Sequence, residues 1–122
     1  MKTSSFATYT GPGRISIARW APRDTPAGFR VFAPLATPSW AMSIMDKPKF
    51  CRAYFGAVLS KLDPAETWAK LHDLAGGAEP VMLCWEKPPF TAENFCHRRM
   101  VAAWFRQELG EAVEELPIPP AV

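Results

Sequence analysis

Hydrophobic residues recur along this chain at two spacings, and the switches between them mark its elements. Isoleucines alternate with smaller or polar residues over Arg14-Ile15-Ser16-Ile17-Ala18-Arg19, just after a turn at Gly11-Pro12-Gly13, which predicts a short strand. Phe50, Tyr54, Val58 and Leu62 then fall at helical spacing, joined along one side by Cys51, Phe55 and Leu59. Asp46 can cap this helix, and Pro48 is tolerated in its first turn. A second start is stronger: Asp63-Pro64-Ala65-Glu66 supplies a capping carboxylate, a proline at the first helical position and a glutamate at the third. Trp68, Leu71, Leu74 and Ala75 form its buried stripe, and Gly76-Gly77 ends it.

Pro80-Val81-Met82-Leu83-Cys84-Trp85 is a continuous apolar run between two helical patterns, as expected of a strand buried on both faces of a parallel sheet. Glu86-Lys87-Pro88-Pro89 must leave the sheet. A last helix is predicted from about Asn94 to Leu109, with Val101, Ala102, Phe105 and Leu109 toward the core and Gly110 as its stop. Ala112-Val113-Glu114-Glu115-Leu116 can add an edge strand. Two stretches lack a period. Thr3 to Tyr9 is small and polar with two aromatics. Trp20 to Trp40 carries Pro22, Pro26, Pro34 and Pro38 and is expected to be irregular. A structureless loop of about 20 residues is often functional, and Trp20, Phe29, Phe32 and Trp40 are expected to pack it onto the body. The alternation predicts one α/β domain over residues 1–122, three-layered, with a small, mostly parallel sheet flanked by helices.

Composition narrows the classes. A chain of 122 residues, 48% hydrophobic and 21% charged, suits one globular domain and no second core. It can bury about two-thirds of its unfolded surface without staples. A net charge of +2 is too small to imply a nucleic-acid partner through bulk electrostatics. Three cysteines, an odd number, suggest free thiols in a reducing compartment rather than a disulfide framework. Met1-Lys2-Thr3-Ser4-Ser5 lacks the apolar core of a signal peptide, and no apolar run approaches the roughly 20 residues that span a bilayer. The expectation is a cytoplasmic protein without membrane association. Cofactors and oligomeric state are left open.

Chemistry-bearing residues gather at one predicted place. Ligands of open parallel sheets bind beyond the carboxyl ends of the strands. Cys84 and Glu86 lie at or just past that end of the best predicted strand, while Cys96, His97 and Arg98 open the helix that follows. With Asn94 as the cap, Cys96 and His97 take the second and third helical positions, where free N–H groups can lower a thiol pKa. Three roles follow. A nucleophilic thiol would use Cys96 or Cys84, with His97 or Glu86 accepting the proton and Arg98, joined by Arg19, holding an anionic group. A metal site would use Cys84, Cys96 and His97, with Glu86 as a further ligand. Alternatively Cys84 is a small core residue, Cys96 a helix residue and Arg98 a surface cation. Elsewhere, packing or solvated roles are expected for Cys51, Trp85, Arg23 and the Lys47, Lys49 and Arg52 group, and His72 suits the negative end of its helix. Trp20 and Trp40 are candidates for lining a pocket.

Leu83-Cys84-Trp85-Glu86-Lys87, followed by Cys96-His97-Arg98-Arg99 and an apolar helix, resembles the domain-of-unknown-function 488 family, whose members carry L-C-x-E-K and C-H-R in their C-terminal half. Ile15-Ser16-Ile17-Ala18-Arg19 resembles that family's N-terminal strand ending in arginine, and Tyr54 to Leu62 extends the similarity to most of the chain. The resemblance implies an α/β fold and a shared polar site, and brings no activity with it. The leading expectation is a small enzyme or ligand-binding domain for an anionic, nucleotide-like ligand at the Cys/Glu/His/Arg site. The alternatives are a non-catalytic module held by a structural metal or hydrogen-bonded clamp, and nucleic-acid binding through Arg98, Arg99, Arg106 and the loop arginines.

Overall fold

In the computed structural model, which describes residues 1–118, five short strands form one sheet in which every pairing is parallel. They are β1 (Lys2–Ser5), β2 (Arg14–Ser16), β3 (Arg30–Val31), β4 (Val81–Cys84) and β5 (Glu114–Glu115), in the spatial order β3-β2-β4-β1-β5. The helices are α1 (Lys47–Ala57), α2 (Pro64–Ala75) and α3 (His97–Leu109), with single 3-10 turns at Ala33–Leu35, Ser39–Ala41 and Leu59–Lys61. The chain is thus an α/β fold with a small parallel sheet flanked by helices, as its sequence implies.

Crossover handedness decides what covers each face. From β1 to β2 and on to β3 the chain moves toward one edge; from β3 to β4 and on to β5 it moves toward the other. Right-handed connections running in opposite directions cross opposite faces. Both helical connections run the same way, so α1, α2 and α3 share one face. There Phe50, Tyr54, Leu71, Val101 and Phe105 join Ile15, Ile17 and Met82 in the main core. On the other face Val81 and Leu83 lie under loop, with Phe6, Tyr9, Ala21 and Phe90. The three layers are helix, sheet and loop.

Local signals set the helix ends where the cap is free to act. The Asp46 carboxylate accepts from Lys49 N at 3.0 Å and that of Asp63 from Glu66 N at 2.8 Å, and Gly76 and Gly110 close α2 and α3 in the left-handed region. Such caps contribute about 1 kcal/mol each. α1 stops at Ala57, so Val58 and Leu59 reach the core from the following turn, while Phe55 faces solvent, contrary to the stripe read from spacing.

Three elements depart from the sequence reading. β1 carries no mark in the sequence, yet Lys2 to Ser5 pair with Val81 to Cys84 beside the sheet centre. Its buried residues are Thr3, Ser4 and Ser5, so burial there leaves no apolar signature. α3 begins at His97, with Cys96 and not Asn94 at the N-cap. The Asn94 amide instead donates to the carbonyls of Lys87 and Pro89 at 2.7 and 2.9 Å, which bends the β4–α3 loop back on itself. Finally, β4 ends at Cys84, and Trp85, expected in the core, is half exposed.

The proline-rich stretch is irregular as expected, apart from β3 and the first two 3-10 turns. A buried arginine pins it: Arg14 donates to the carbonyls of Gly11, Pro26 and Ala27 at 3.2, 2.8 and 2.6 Å. Phe32 is buried, whereas Trp20 and Trp40 stay exposed. No helix among the described residues is long and apolar enough to cross a membrane.

Candidate functional site

The carboxyl ends of β2 and β4 and the N-terminus of α3 meet at a cleft of about 460 Å³. Cys84, Cys96 and His97 form its polar inner surface, Ile44, Phe50 and Phe95 its apolar wall, and Arg19, Trp20, Met45, Trp85 and Glu86 its outer part. Four of the residues singled out from sequence as chemical, together with Arg19, therefore line one cavity. Trp20 lines it too; Trp40 does not. The Trp85 indole N–H donates to the Trp20 carbonyl at 2.8 Å, tying the two sides of the mouth together.

Cys84 and Cys96 are bonded to each other, which corrects the expectation of free thiols; Cys51 is the free cysteine. Their Cα atoms lie 7.2 Å apart, and both side chains are buried. Each sulfur has a different neighbour. Arg98 Nη1 donates to Cys84 Sγ at 3.1 Å. His97 Nδ1 lies 3.9 Å from Cys96 Sγ.

His97 is fixed by its other nitrogen. Nε2 lies 2.7 Å from the carbonyl oxygen of Ile17, at the end of the β2 segment, and a carbonyl only accepts. Nε2 therefore carries the proton and Nδ1 presents a lone pair to the sulfurs. The Tyr54 ring packs edge-on against the imidazole, with centroids 5.3 Å apart, and holds its plane. Burial pushes the His97 pKa down to about 4; the Ile17 bond opposes this and the charge of Arg98 adds to it. His97 is neutral at pH 7.

Arg98 corrects a second expectation. As a candidate to hold a ligand anion it would need to reach the cleft, but its side chain is wholly buried and its anion is the protein's own Glu115. Arg98 Nε and Nη2 donate to Glu115 Oε1 and Oε2 at 2.9 and 2.8 Å, a bidentate pair. Thr3 Oγ1 donates to Glu115 Oε1 at 2.7 Å, and Arg99 Nη1 donates to Thr3 Oγ1 and to the Val113 carbonyl, both at 2.9 Å. Burial raises the Glu115 pKa, but the bonds from Arg98 and Thr3 and the charges of Arg98 and Arg99 prevail and hold it below the ordinary carboxylate value. Thr3 of β1 thus belongs to a network linking β5, β1 and α3 to the Cys84 sulfur. Thr3 and Glu115 carry no motif that reveals them. Their only signal is polarity in segments short enough to be strands.

Glu86 is exposed on the outer part of the cleft, and the group beside the sulfurs is the His97 imidazole. Arg19 is exposed and stacks on Trp20 with its guanidinium carbon 5.5 Å from the ring centroid, leaving a cation at the cleft mouth. His72 has the structural role expected of it: Nδ1–H donates to the Trp68 carbonyl at 2.9 Å. Arg23 is a surface residue. No protein-family model, curated protein or solved structure matches this chain.

Proposed function

We propose that this chain is a small thiol-dependent enzyme that exchanges electrons between its Cys84–Cys96 pair and an anionic low-molecular-weight disulfide or thiol bound in the cleft. The observation that carries this reading is the unequal setting of two bonded sulfurs on a cleft surface. Cys84 accepts a hydrogen bond from Arg98, and Cys96 stands at the N-cap position of α3 beside the lone pair of His97. Both the guanidinium and the helix N-terminus favour thiolates.

In the reduced protein, Cys96 passes its proton to His97 Nδ1 and attacks one sulfur of the bound disulfide. A mixed disulfide forms on Cys96, and the first substrate thiolate leaves with that proton. Cys84, its thiolate stabilised by the Arg98 N–H, then attacks Cys96 Sγ and releases the second substrate thiol. One substrate disulfide becomes two thiols, and the protein's two thiols, which supply both electrons and both protons, become one disulfide. Arg19 at the mouth supplies the charge for an anionic substrate. We place the reaction in the cytoplasm, where protein disulfides are typically transient and catalytic.

The test uses oxidised glutathione as substrate for the reduced protein. Cys96→Ser is expected to abolish turnover, and Cys84→Ser to accumulate one glutathione on Cys96, visible in the intact mass. Arg19→Ala should raise KM several-fold with kcat little changed. A Cys84–Cys96 bond that resists reductant until the protein unfolds would overturn the reading, as would cysteine variants that turn over like the wild type. A non-catalytic clamp is the second reading, favoured by the bidentate Arg98–Glu115 pair that ties α3 to the sheet edge. Nucleic-acid binding has less support, because Arg98 and Arg99 are engaged inside the protein.

A further inference from the structure

We propose that opening the Cys84–Cys96 bond creates a zinc site, with Cys84, Cys96 and His97 as ligands and a fourth position facing the cleft. The inference rests on the thiol-exchange reading only in requiring that the bond opens in the folded protein. One ligand atom from each of the three residues lies within 4.8 Å of the others. Zinc bonds of about 2.3 Å to sulfur and 2.0–2.1 Å to nitrogen place tetrahedral ligands roughly 3.5–3.8 Å apart. The His97 Nδ1 to Cys96 Sγ separation, 3.9 Å, is already close to that value. The Cα separation of Cys84 and Cys96, 7.2 Å, leaves room for the sulfurs to part around an ion.

The His97 imidazole is oriented as a ligand would be. With Nε2–H bonded to Ile17, the His97 lone pair on Nδ1 needs a donor or an ion. The Cys96 sulfur lies 3.9 Å from it and, once bonded to Cys84, has no proton to give. His97 is 8% exposed, and its Nδ1 lone pair is held within reach of both sulfurs. Metal-bound histidines characteristically donate their other N–H to a backbone carbonyl, as this one does. The surroundings suit a charged ion as well. Zinc with two thiolates and a neutral imidazole carries no net charge, and Glu115 already balances Arg98, which keeps its hydrogen bond to Cys84 Sγ.

All three residues line the cleft, so the fourth position opens toward it. Three protein ligands with an open fourth position is the arrangement of catalytic rather than structural zinc. A substrate thiolate or a water would occupy that place. The redox state of the pair then selects between two chemistries, since the two electrons that a thiol reductant donates free both sulfurs, and zinc displaces their protons.

The experiment titrates zinc, and separately cobalt(II) as a spectroscopic probe, into the full chain reduced anaerobically and into the oxidised chain. Free thiols are counted in parallel. The expected result is one metal per reduced chain, thiolate-to-cobalt charge-transfer and tetrahedral d–d bands, and no binding to oxidised protein. His97→Gln should weaken binding by more than about tenfold, while Cys51→Ala, a substitution away from the cleft, should keep the full stoichiometry. Reduced chain with both thiols titratable but no bound metal overturns the zinc site and spares the dithiol reading. Equal binding to the oxidised chain, or loss of binding in Cys51→Ala, overturns the zinc site in the same way. Thiols that never form under native reduction overturn both.

Discussion

Breaking the Arg98–Glu115 pair is the sharpest test of how this site is supported. In Glu115→Gln the guanidinium keeps its buried position but loses its counter-charge and one of its two charge-assisted bonds. Removing one partner of a buried pair typically costs about 3–5 kcal/mol. The Glu115 side chain is 17% exposed, so water can partly replace it and the lower end applies, about 3 kcal/mol. For a domain of this size that corresponds to a fall of roughly 10 °C in Tm. The measurement is thermal unfolding of both oxidised proteins from pH 7 downward. Because the folded-state pKa of Glu115 is depressed, its contribution is complete above the unfolded value, roughly 4.3, and is lost as pH falls through the folded value. The gap between wild type and variant should therefore narrow in acid. Replacing both partners, Arg98→Met with Glu115→Leu, should recover part of the loss. A gap below about 1 kcal/mol at neutral pH, or one that does not change on acidification, would refute the idea that this pair supports the Cys84 sulfur.

Three further substitutions probe the frame around the cleft. Ser4 Oγ is buried in β1 without a hydrogen-bond partner among the described residues, so Ser4→Ala should be neutral or stabilising by up to about 1 kcal/mol; clear destabilisation in urea would count against that reading. The Tyr54 hydroxyl donates to the Leu35 carbonyl at 2.6 Å in the core, and Tyr54→Phe should lose about 1–2 kcal/mol in the same assay while leaving the ring against His97; an unchanged midpoint would contradict it. Gly13 has a φ of 81°, and an added Cβ would overlap the Glu79 carbonyl oxygen beside the Val81 N–H to Gly13 carbonyl bond. Gly13→Ala should therefore lose about 2–4 kcal/mol and most soluble yield, and near-wild-type stability would show that the turn relaxes.

What can be read along the chain is what local chemistry controls. Asp46 and Asp63 find their donors three residues away, Gly76 and Gly110 stop helices through their own backbone freedom, and Val81 to Cys84 announce a buried strand by being apolar throughout. The grouping of Cys84, Glu86, Cys96 and His97 at one edge follows from the strand–loop–helix order and needs no distant contact. Tertiary structure decides the rest, because it turns on partners far apart in sequence. Thr3, Ser4 and Ser5 are buried next to the sheet centre, and Thr3 owes its satisfaction there to Glu115 and Arg99, about a hundred positions away, so no hydrophobic period marks β1. Asn94 is a good cap in isolation, yet the carbonyls of Lys87 and Pro89 claim its amide and pass the cap to Cys96. Arg98 could face solvent or ligand on any reading of its helix. Only the return of β5 beside β1 brings Glu115 to it, turns the guanidinium inward and sets it against the Cys84 sulfur.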